Sequence, residues 1–290
     1  MDTNLVKLIE DFKSEEQCRD YLEQLRWPDG VCCPRCQSKS VSKIAERSQY
    51  DCNECRYQFS VTSNNSLHDT HLPLWKWFLA VYLMCESKKG MSANQLKRTI
   101  GVSYKTAWYL SHRIRNAMQD NTPLNGVIEV DEAYVGGKHL GGKGRGSHGK
   151  RGVVGMVERG GRVRLNAVPK MDAKHLVGFI ESHLGKKVKM VITDAFPSYK
   201  HVGKIAPHTT VNKSETNGEP QENINAIENV WSLLKRSLIG SFHKVGAKHL
   251  PAYLDEIAFR FNNRDNPDLF RDTMLKLLSS NHVTFGELAA

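Results

Sequence analysis

The sequence predicts an α/β fold, a mixed sheet with flanking helices, preceded by a cysteine-rich module and a helical module. Three observations predict it. Residues 126–263 read in the order strand, hairpin, helix, strand, mixed segment, helix, helix. Residues 31–63 hold a doubled Cys-x2-Cys pattern among short alternating runs such as Tyr57, Phe59 and Val61. Residues 72–118 keep helical apolar spacing until NTPLNG (121–126), where the composition changes.

The 290 residues include 41 Lys+Arg against 31 Asp+Glu, a formal charge of +10. With 40% hydrophobic residues the chain can bury a core, which excludes wholesale disorder. Its length suits two domains, with a small third. The most apolar stretch, Leu74 to Cys85, is about half of the ~20 residues a membrane span needs, and it contains Lys76. The opening MDTNLVKLIEDF carries acids and no apolar signal core, so a cytoplasmic, reducing setting is expected. The charge suggests a polyanionic partner. Its excess lies mainly in residues 126–290, with 24 basic and 17 acidic groups, so a nucleic-acid partner has to be met by that half.

Residues 1–27 form a helical lead-in. Ser14 and Gln17 fit a capping box, Tyr21, Leu22 and Leu25 supply an apolar stripe, and Pro28-Asp29-Gly30 ends the element. In the next module (28–65), Cys33-x2-Cys36, fifteen residues and Cys52-x2-Cys55 give the spacing of a four-thiolate zinc ribbon, since two such turns can close a tetrahedron of sulfurs. Two disulfides, or four buried thiols, are the other readings, and a reducing compartment disfavours the disulfides. With all four positions filled the zinc reads as structural, and a ribbon this small depends on it for folding. Cys32 is off the spacing, and Cys18 and Cys85 sit in apolar helical patterns as core residues. Arg35, Lys39, Lys43, Arg47 and Arg56 either touch DNA phosphates or are solvated charges.

The helical module (66–122) ends in a helix-turn-helix pattern. Ser92 and Gln95 open a helix that stops at Gly101, and Ser103 caps a longer one over Tyr104–Met118. Ala107, Leu110, Ile114 and Met118 face inward. Tyr104, Lys105, Thr106, Tyr109, His112, Arg113 and Arg115 are expected outside or on the flanks, and Tyr104, Lys105, Thr106, Tyr109 and Arg113 are the candidate DNA contacts. An ordinary helical hairpin gives the same pattern.

In the third module (123–265), Gly126–Val135 alternates like a strand, and Gly152–Val157 and Val163–Val168 flank a hairpin signal at Arg159-Gly160-Gly161-Arg162. Asp172 caps a helix to about Leu184, and Val188–Thr193 reads as a buried strand. Residues 222–240 and 246–263 read as amphipathic helices. Three meandering strands, a crossover helix and a further strand are the order of a ribonuclease-H-like fold. Residues 266–290 are left as a C-terminal tail.

Three acids stand where a metal site can form. Asp131 and Asp194 end apolar strand-like runs, and Glu228 lies in the helix NAIENVW. Acids at strand ends point into the crevice where α/β proteins gather ligands. Carboxylate oxygens suit Mg²⁺, and two such ions can activate an attacking oxygen and stabilise a leaving one in phosphodiester transfer. Each acid taken singly is also a plausible strand-end cap or surface residue. Glu129, two residues before Asp131 and so on the same strand face, is its main competitor; Glu132 flanks the same site, and Asn225 and Asn229 flank the third. Lys235, two helical turns after Glu228, lies on the same helix face ~10.5 Å away and can hold phosphate beside the metals, with Arg236 adjacent. Gly136–Arg151 has seven Gly, five Lys/Arg and no acid. It reads as a flexible phosphate-contacting loop, through Lys138, Lys143, Arg145, Lys150 and Arg151, or as a solubility loop. The nucleotide-binding pattern GxxxxGK[ST] is absent.

Together these residues resemble bacterial insertion-sequence transposases of the DDE class, in the group of the "1595" insertion-sequence family that carries an N-terminal zinc ribbon. The likeness runs from about Trp27 to Arg264. It includes CPRC, CNEC, HDTHLPLWKWFLAVYLM, MSANQLKRTIGVSYKTAWYLSHRIRNAM, VIEVDEAYVGGK, VITDAFPSY, NAIENVWSLLKRSL and YLDEIAFRFNNR. The resemblance implies a metal-binding triad of Asp131, Asp194 and Glu228, with Lys235 as the trailing basic residue. Family members vary at the third position, some using Asn, and Asn225 is close by. It further implies cleavage at transposon ends and attack of the freed 3′-OH on target DNA, with two Mg²⁺ (or Mn²⁺) ions, double-stranded DNA as partner and a homo-oligomer on it. A non-catalytic DNA-binding regulator and a nuclease without strand transfer are the competing functions.

Overall fold

The computed structural model describes residues 4–136, 150–211 and 224–290. The chain divides into two compact units: Met1–Met118 with Asp265–Ala290, and Gln119–Arg264. No helix among the described residues is long and apolar enough to cross a membrane.

The first unit opens with α1 (Leu5–Asp11) and α2 (Glu15–Arg26). The Ser14 hydroxyl accepts from the Gln17 amide at 3.2 Å, and the Gln17 side chain accepts from the Ser14 amide at 3.0 Å, which completes the expected capping box. The ribbon that follows is a three-stranded antiparallel sheet of β1 (Val41–Ile44), β2 (Gln49–Cys52) and β3 (Gln58–Phe59). It is joined to α2 by an aromatic cluster of Trp27, Tyr50 and Phe59, with ring centroids 5.7–5.8 Å apart. The Tyr50 hydroxyl donates to Glu23 at 2.7 Å and the Arg26 guanidinium to the Val61 carbonyl at 2.6 Å. Lead-in and ribbon are therefore one packed piece.

Three helices follow: α3 (Leu74–Glu86), α4 (Ala93–Ile100) and α5 (Tyr104–Ala117). Pro73 offers no capping side chain to α3, and the Glu15 carboxylate accepts the Leu74 amide instead, at 2.9 Å. Helix α4 ends on Gly101 at φ +61°, a left-handed turn that favours glycine. Ser103 then caps α5, accepting the Thr106 amide at 3.1 Å.

The expected C-terminal tail is instead two helices, α9 (Leu269–Ser279) and α10 (Phe285–Ala289), folded into this first unit. Phe270 packs with Phe12 and Phe78, and Thr273 meets Cys85 at 3.3 Å. Burying Phe270, Met274 and Leu277 is what ties this stretch down.

The second unit is one five-stranded mixed sheet. Its strands are β4 (Leu124–Val135), β5 (Arg151–Glu158), β6 (Val163–Val168), β7 (Leu184–Asp194) and β8 (His208–Val211), in the order β6-β5-β4-β7-β8. The first three pair antiparallel, while β4–β7 and β7–β8 are parallel, which is the ribonuclease-H-like arrangement. Strand β8 lies in the segment read as mixed; four residues at a sheet edge carry too little pattern to be read. Helix α6 (Ala173–His183) crosses one face, where Leu176, Phe179 and Ile180 bury against Ile128, Val130, Val154 and Met156. Helices α7 (Asn225–Ser237) and α8 (Leu250–Asn262) cover the other, where Ile227, Trp231, Leu254 and Ile257 meet Val153, Leu165 and Ile192.

Truncating a buried aromatic leaves a cavity costing about 3–5 kcal/mol. Phe270→Ala is expected to destabilise the first unit by that amount. Four of the five tryptophans (27, 75, 77 and 108) lie in that unit, so urea unfolding followed by fluorescence measures it.

Candidate active site and metal centres

The four ribbon thiols converge. Cys33 and Cys55 sulfurs lie 3.6 Å apart, Cys36 and Cys52 sulfurs 3.5 Å, and all four fall within 4.8 Å of one another. The two Cys-x2-Cys turns are built alike. The residue after each second cysteine is left-handed, Gln37 at φ +62° and Arg56 at φ +57°. Its amide donates back to the carbonyl of the first cysteine, at 2.8 and 2.9 Å. A zinc ion with ~2.3 Å bonds needs sulfurs ~3.8 Å apart at tetrahedral angles, whereas a disulfide needs ~2.0 Å. The cysteines are unbonded to one another, and the sulfur set fits zinc. Arg35, Lys39, Lys43, Arg47 and Arg56 are exposed on the ribbon, and Arg35 stacks over Tyr57 at 4.0 Å.

In the second unit the parallel register of β4 and β7 pairs Glu129 with Ile192. Carried two residues further, it sets Asp131 beside Asp194, at the C-terminal end of β7. Both follow the alternation of residues that face α7, since Ile192 packs on that side. One oxygen of each lies within 4.8 Å of the other and of an oxygen of Glu132. Octahedral Mg²⁺ or Mn²⁺ with ~2.1 Å bonds needs ligand oxygens ~3.0 Å apart in cis and ~4.2 Å in trans, so this hard-oxygen set fits such an ion with small side-chain adjustment.

The surroundings fix these acids through neutral donors. The Trp231 indole N–H donates to Asp131 Oδ2 at 2.9 Å, the Phe196 amide to Asp194 Oδ1 at 3.0 Å, and the Tyr199 hydroxyl to Glu132 Oε2 at 2.9 Å. Trp231 lies on the sheet because β5 has Gly155 opposite Asp131; a Cβ there would come within 2.6 Å of the indole.

Glu129 does share the strand face of Asp131, as alternation predicts, but it is 2% exposed. Arg159 Nε donates to one of its oxygens at 2.7 Å and the Ile227 amide to the other at 3.1 Å. It thereby caps α7, whose N-cap residue Ile224 supplies no side-chain bond. Glu228 is exposed in the first turn of α7 and is not a member of the carboxylate cluster, and Asn225 and Asn229 are exposed beside it. Lys235 and Arg236 are exposed in the last turn of α7. Arg151 is exposed at the start of β5, four residues from Gly155, and Lys150 precedes it half-buried. Lys138, Lys143 and Arg145 lie outside the described residues.

On α5, Tyr104 and Lys105 are exposed, and Thr106 and Tyr109 are half-buried. Arg113 is corrected: expected on the outer flank, it is 3% exposed, donates to the His68 carbonyl and stacks between Trp77 and Tyr109. His112 and Arg115 are also buried. The C-terminal segment lies along the outer flank of this helix. Tyr109 donates to the Val283 carbonyl at 2.8 Å, and the Lys105 ammonium sits 4.4 Å from the centre of the Phe285 ring.

Residues 123–262 match the ISXO2-like transposase domain and residues 13–58 the transposase zinc-ribbon domain. A protein of the transposable element ISH50 in Halobacterium salinarum is 28% identical over 275 residues, covering 87% of this chain and 92% of that protein. A transposase-like protein of Haemophilus influenzae is 33% identical over 106 residues, 36% of this chain and 84% of that one. Among solved structures, the Mos1 strand transfer complex aligns over 69% of this chain and 74% of its own at 11% identity, with a TM-score of 0.33. The simian T-cell lymphotropic virus intasome in complex with the PP2A regulatory subunit B56 gamma aligns over 64% and 69% at 14% identity, with a TM-score of 0.34.

Two measurements check these centres. Mild-acid release into a colorimetric chelator is expected to yield about one zinc per chain, and Cys36→Ser is expected to abolish it and unfold the ribbon, seen as collapse of its amide NMR dispersion. Trp231→Phe keeps most of the ring but removes the donor to Asp131. It is expected to lower the stability of the second unit by about 1–3 kcal/mol in urea unfolding.

Proposed function

Because the chain belongs to the ISXO2-like DDE transposases, with the family's zinc ribbon ahead of the catalytic domain, we propose that it cuts DNA at the ends of an insertion sequence and joins the freed 3′-OH to target DNA. The observation that carries this reading is the β4/β7 register, which sets Asp131 beside Asp194 at the C-terminal end of β7. Asp131 and Asp194 are the residues that hold divalent metal, Mg²⁺ with Mn²⁺ as a substitute. Two ions held by these carboxylates would supply the positive charge that favours an attacking and a leaving oxygen in phosphodiester transfer.

The protein's own contribution is positioning. Trp231 and the Phe196 amide fix the two aspartates, so the site needs little reorganisation when DNA arrives. Glu228 completes the triad from the exposed first turn of α7. Lys235, two turns further along that helix, and Arg236 hold backbone phosphate, with Lys150 and Arg151 doing so from the start of β5. The loop residues Lys138, Lys143 and Arg145 extend that contact. Tyr104, Lys105 and Thr106, at the N-terminal end of α5, meet the element ends in the major groove. Tyr109 supports them from the next turn, and Arg113 acts by holding the helix in place. The zinc is structural. Joining two element ends calls for more than one copy of the chain on DNA, in the cytoplasm at the nucleoid.

Incubating the protein with element-end DNA and a target plasmid in Mg²⁺ is expected to give joined products; nicks alone would make it a nuclease. Asp131→Asn or Asp194→Asn is expected to lower cleavage roughly 10³-fold, the equivalent of about 4 kcal/mol of transition-state stabilisation, while electrophoretic mobility shift shows DNA binding intact. Undiminished cleavage by either variant would sink the reading.

A further inference from the structure

We infer that Glu132, with Asp131 and Asp194, ligates a divalent ion, and that Tyr199 is the residue that positions it. The inference rests on the reading of this carboxylate cluster as the metal centre, and it assigns that centre a carboxylate beyond the expected triad.

Consecutive strand residues point to opposite faces, so Glu132 starts on the α6 side while Asp131 faces α7. The strand ends resolve this. β7 stops at Asp194, whereas β4 runs on to Val135. Beside Glu132 the sheet therefore has no β7 partner, and the longer glutamate side chain brings an oxygen within 4.8 Å of an oxygen on each aspartate. An ion bound there can thus be gripped from both faces of the sheet.

The turn after β7 serves two of the three acids at once. In Asp194-Ala195-Phe196-Pro197-Ser198-Tyr199, the Phe196 amide donates to Asp194 at 3.0 Å. The turn closes through the Tyr199 amide to the Phe196 carbonyl at 3.0 Å, and the Tyr199 hydroxyl then donates to Glu132 at 2.9 Å. Tyr199 is wholly buried among Val202, Phe179 and neighbouring apolar residues. Burial, with Glu132, Asp131 and Asp194 nearby, pushes its phenol well above the ordinary range. The hydrogen bond from its hydroxyl orients the Glu132 side chain.

The test measures metal binding directly, with Mn²⁺ as probe, by isothermal titration and by loss of the free Mn²⁺ paramagnetic resonance signal. The full chain is compared with Asp131→Asn, Glu132→Gln, Tyr199→Phe and, as a control, Glu181→Gln, an exposed acid on α6. Asp131→Asn is expected to remove binding, Glu132→Gln to weaken it about 10–100-fold, and Tyr199→Phe to weaken it less, with Glu181→Gln unchanged. Glu132→Asp, which keeps the charge on a shorter stem, is expected to recover part of the loss. Metal-free melting temperatures establish that each variant is folded. Wild-type affinity in Glu132→Gln, alongside lost binding in Asp131→Asn, overturns the inference alone. Wild-type affinity in Asp131→Asn overturns the reading of the cluster as a metal centre, and this inference with it.

Discussion

Repulsion between like charges at the C-terminal end of β7 sets the terms for the second unit. Three carboxylates stand with oxygens within 4.8 Å of one another. A pair of unit charges at 4 Å repels by ~1 kcal/mol in water and by about 4 kcal/mol at the effective dielectric of a protein surface. The strand register makes this unavoidable, because pairing Glu129 with Ile192 carries Asp131 to the side of Asp194. The fold bears the strain by packing on both faces of the sheet, and by donors that hold each acid in place. A cation bound to the native cluster and not to the unfolded chain would turn that stored repulsion into stability.

The same end of the sheet governs where α7 lies. Glu129, fixed by Arg159, caps the helix through the Ile227 amide, and Trp231 bonds Asp131 one turn later. Residue 228 sits between these two attachments. The helix is therefore pinned to β4 on either side of Glu228, which is exposed in its first turn. Gly155 belongs to the same arrangement, since only a residue without a Cβ lets the indole rest over β5.

How much of this was legible depends on which physical signal each residue left. Asp131 and Asp194 were readable because each ends an apolar run, and the doubled cysteine spacing named all four ribbon thiols. Alternation placed Glu129 on the correct face but said nothing about its burial, so a helix cap looked like a competing ligand. Glu132 was named only as a flanking residue, because alternation sends it to the other face and only the early end of β7 lets it return. Helix α9 shows the reverse case. Its apolar spacing (Leu269, Phe270, Met274, Leu277, Leu278) is visible in the sequence, but its partners, Phe12, Phe78 and Cys85, lie some 190 residues or more upstream, where no local pattern points.

Helix α5 is where pattern reasoning misled most, and the reason bears on how DNA is met. Periodicity assumes one buried face and one wet one. The N-terminal end of α5 obeys this, with Tyr104 and Lys105 exposed. Further along, the 282–285 segment covers a second flank, and Arg113 is spent on the His68 carbonyl and two aromatic rings. Within α5 only Tyr104 and Lys105, in its first turn, stay exposed. Arg151, Lys235 and Arg236 are exposed in the second unit, the half of the chain that carries most of the net positive charge.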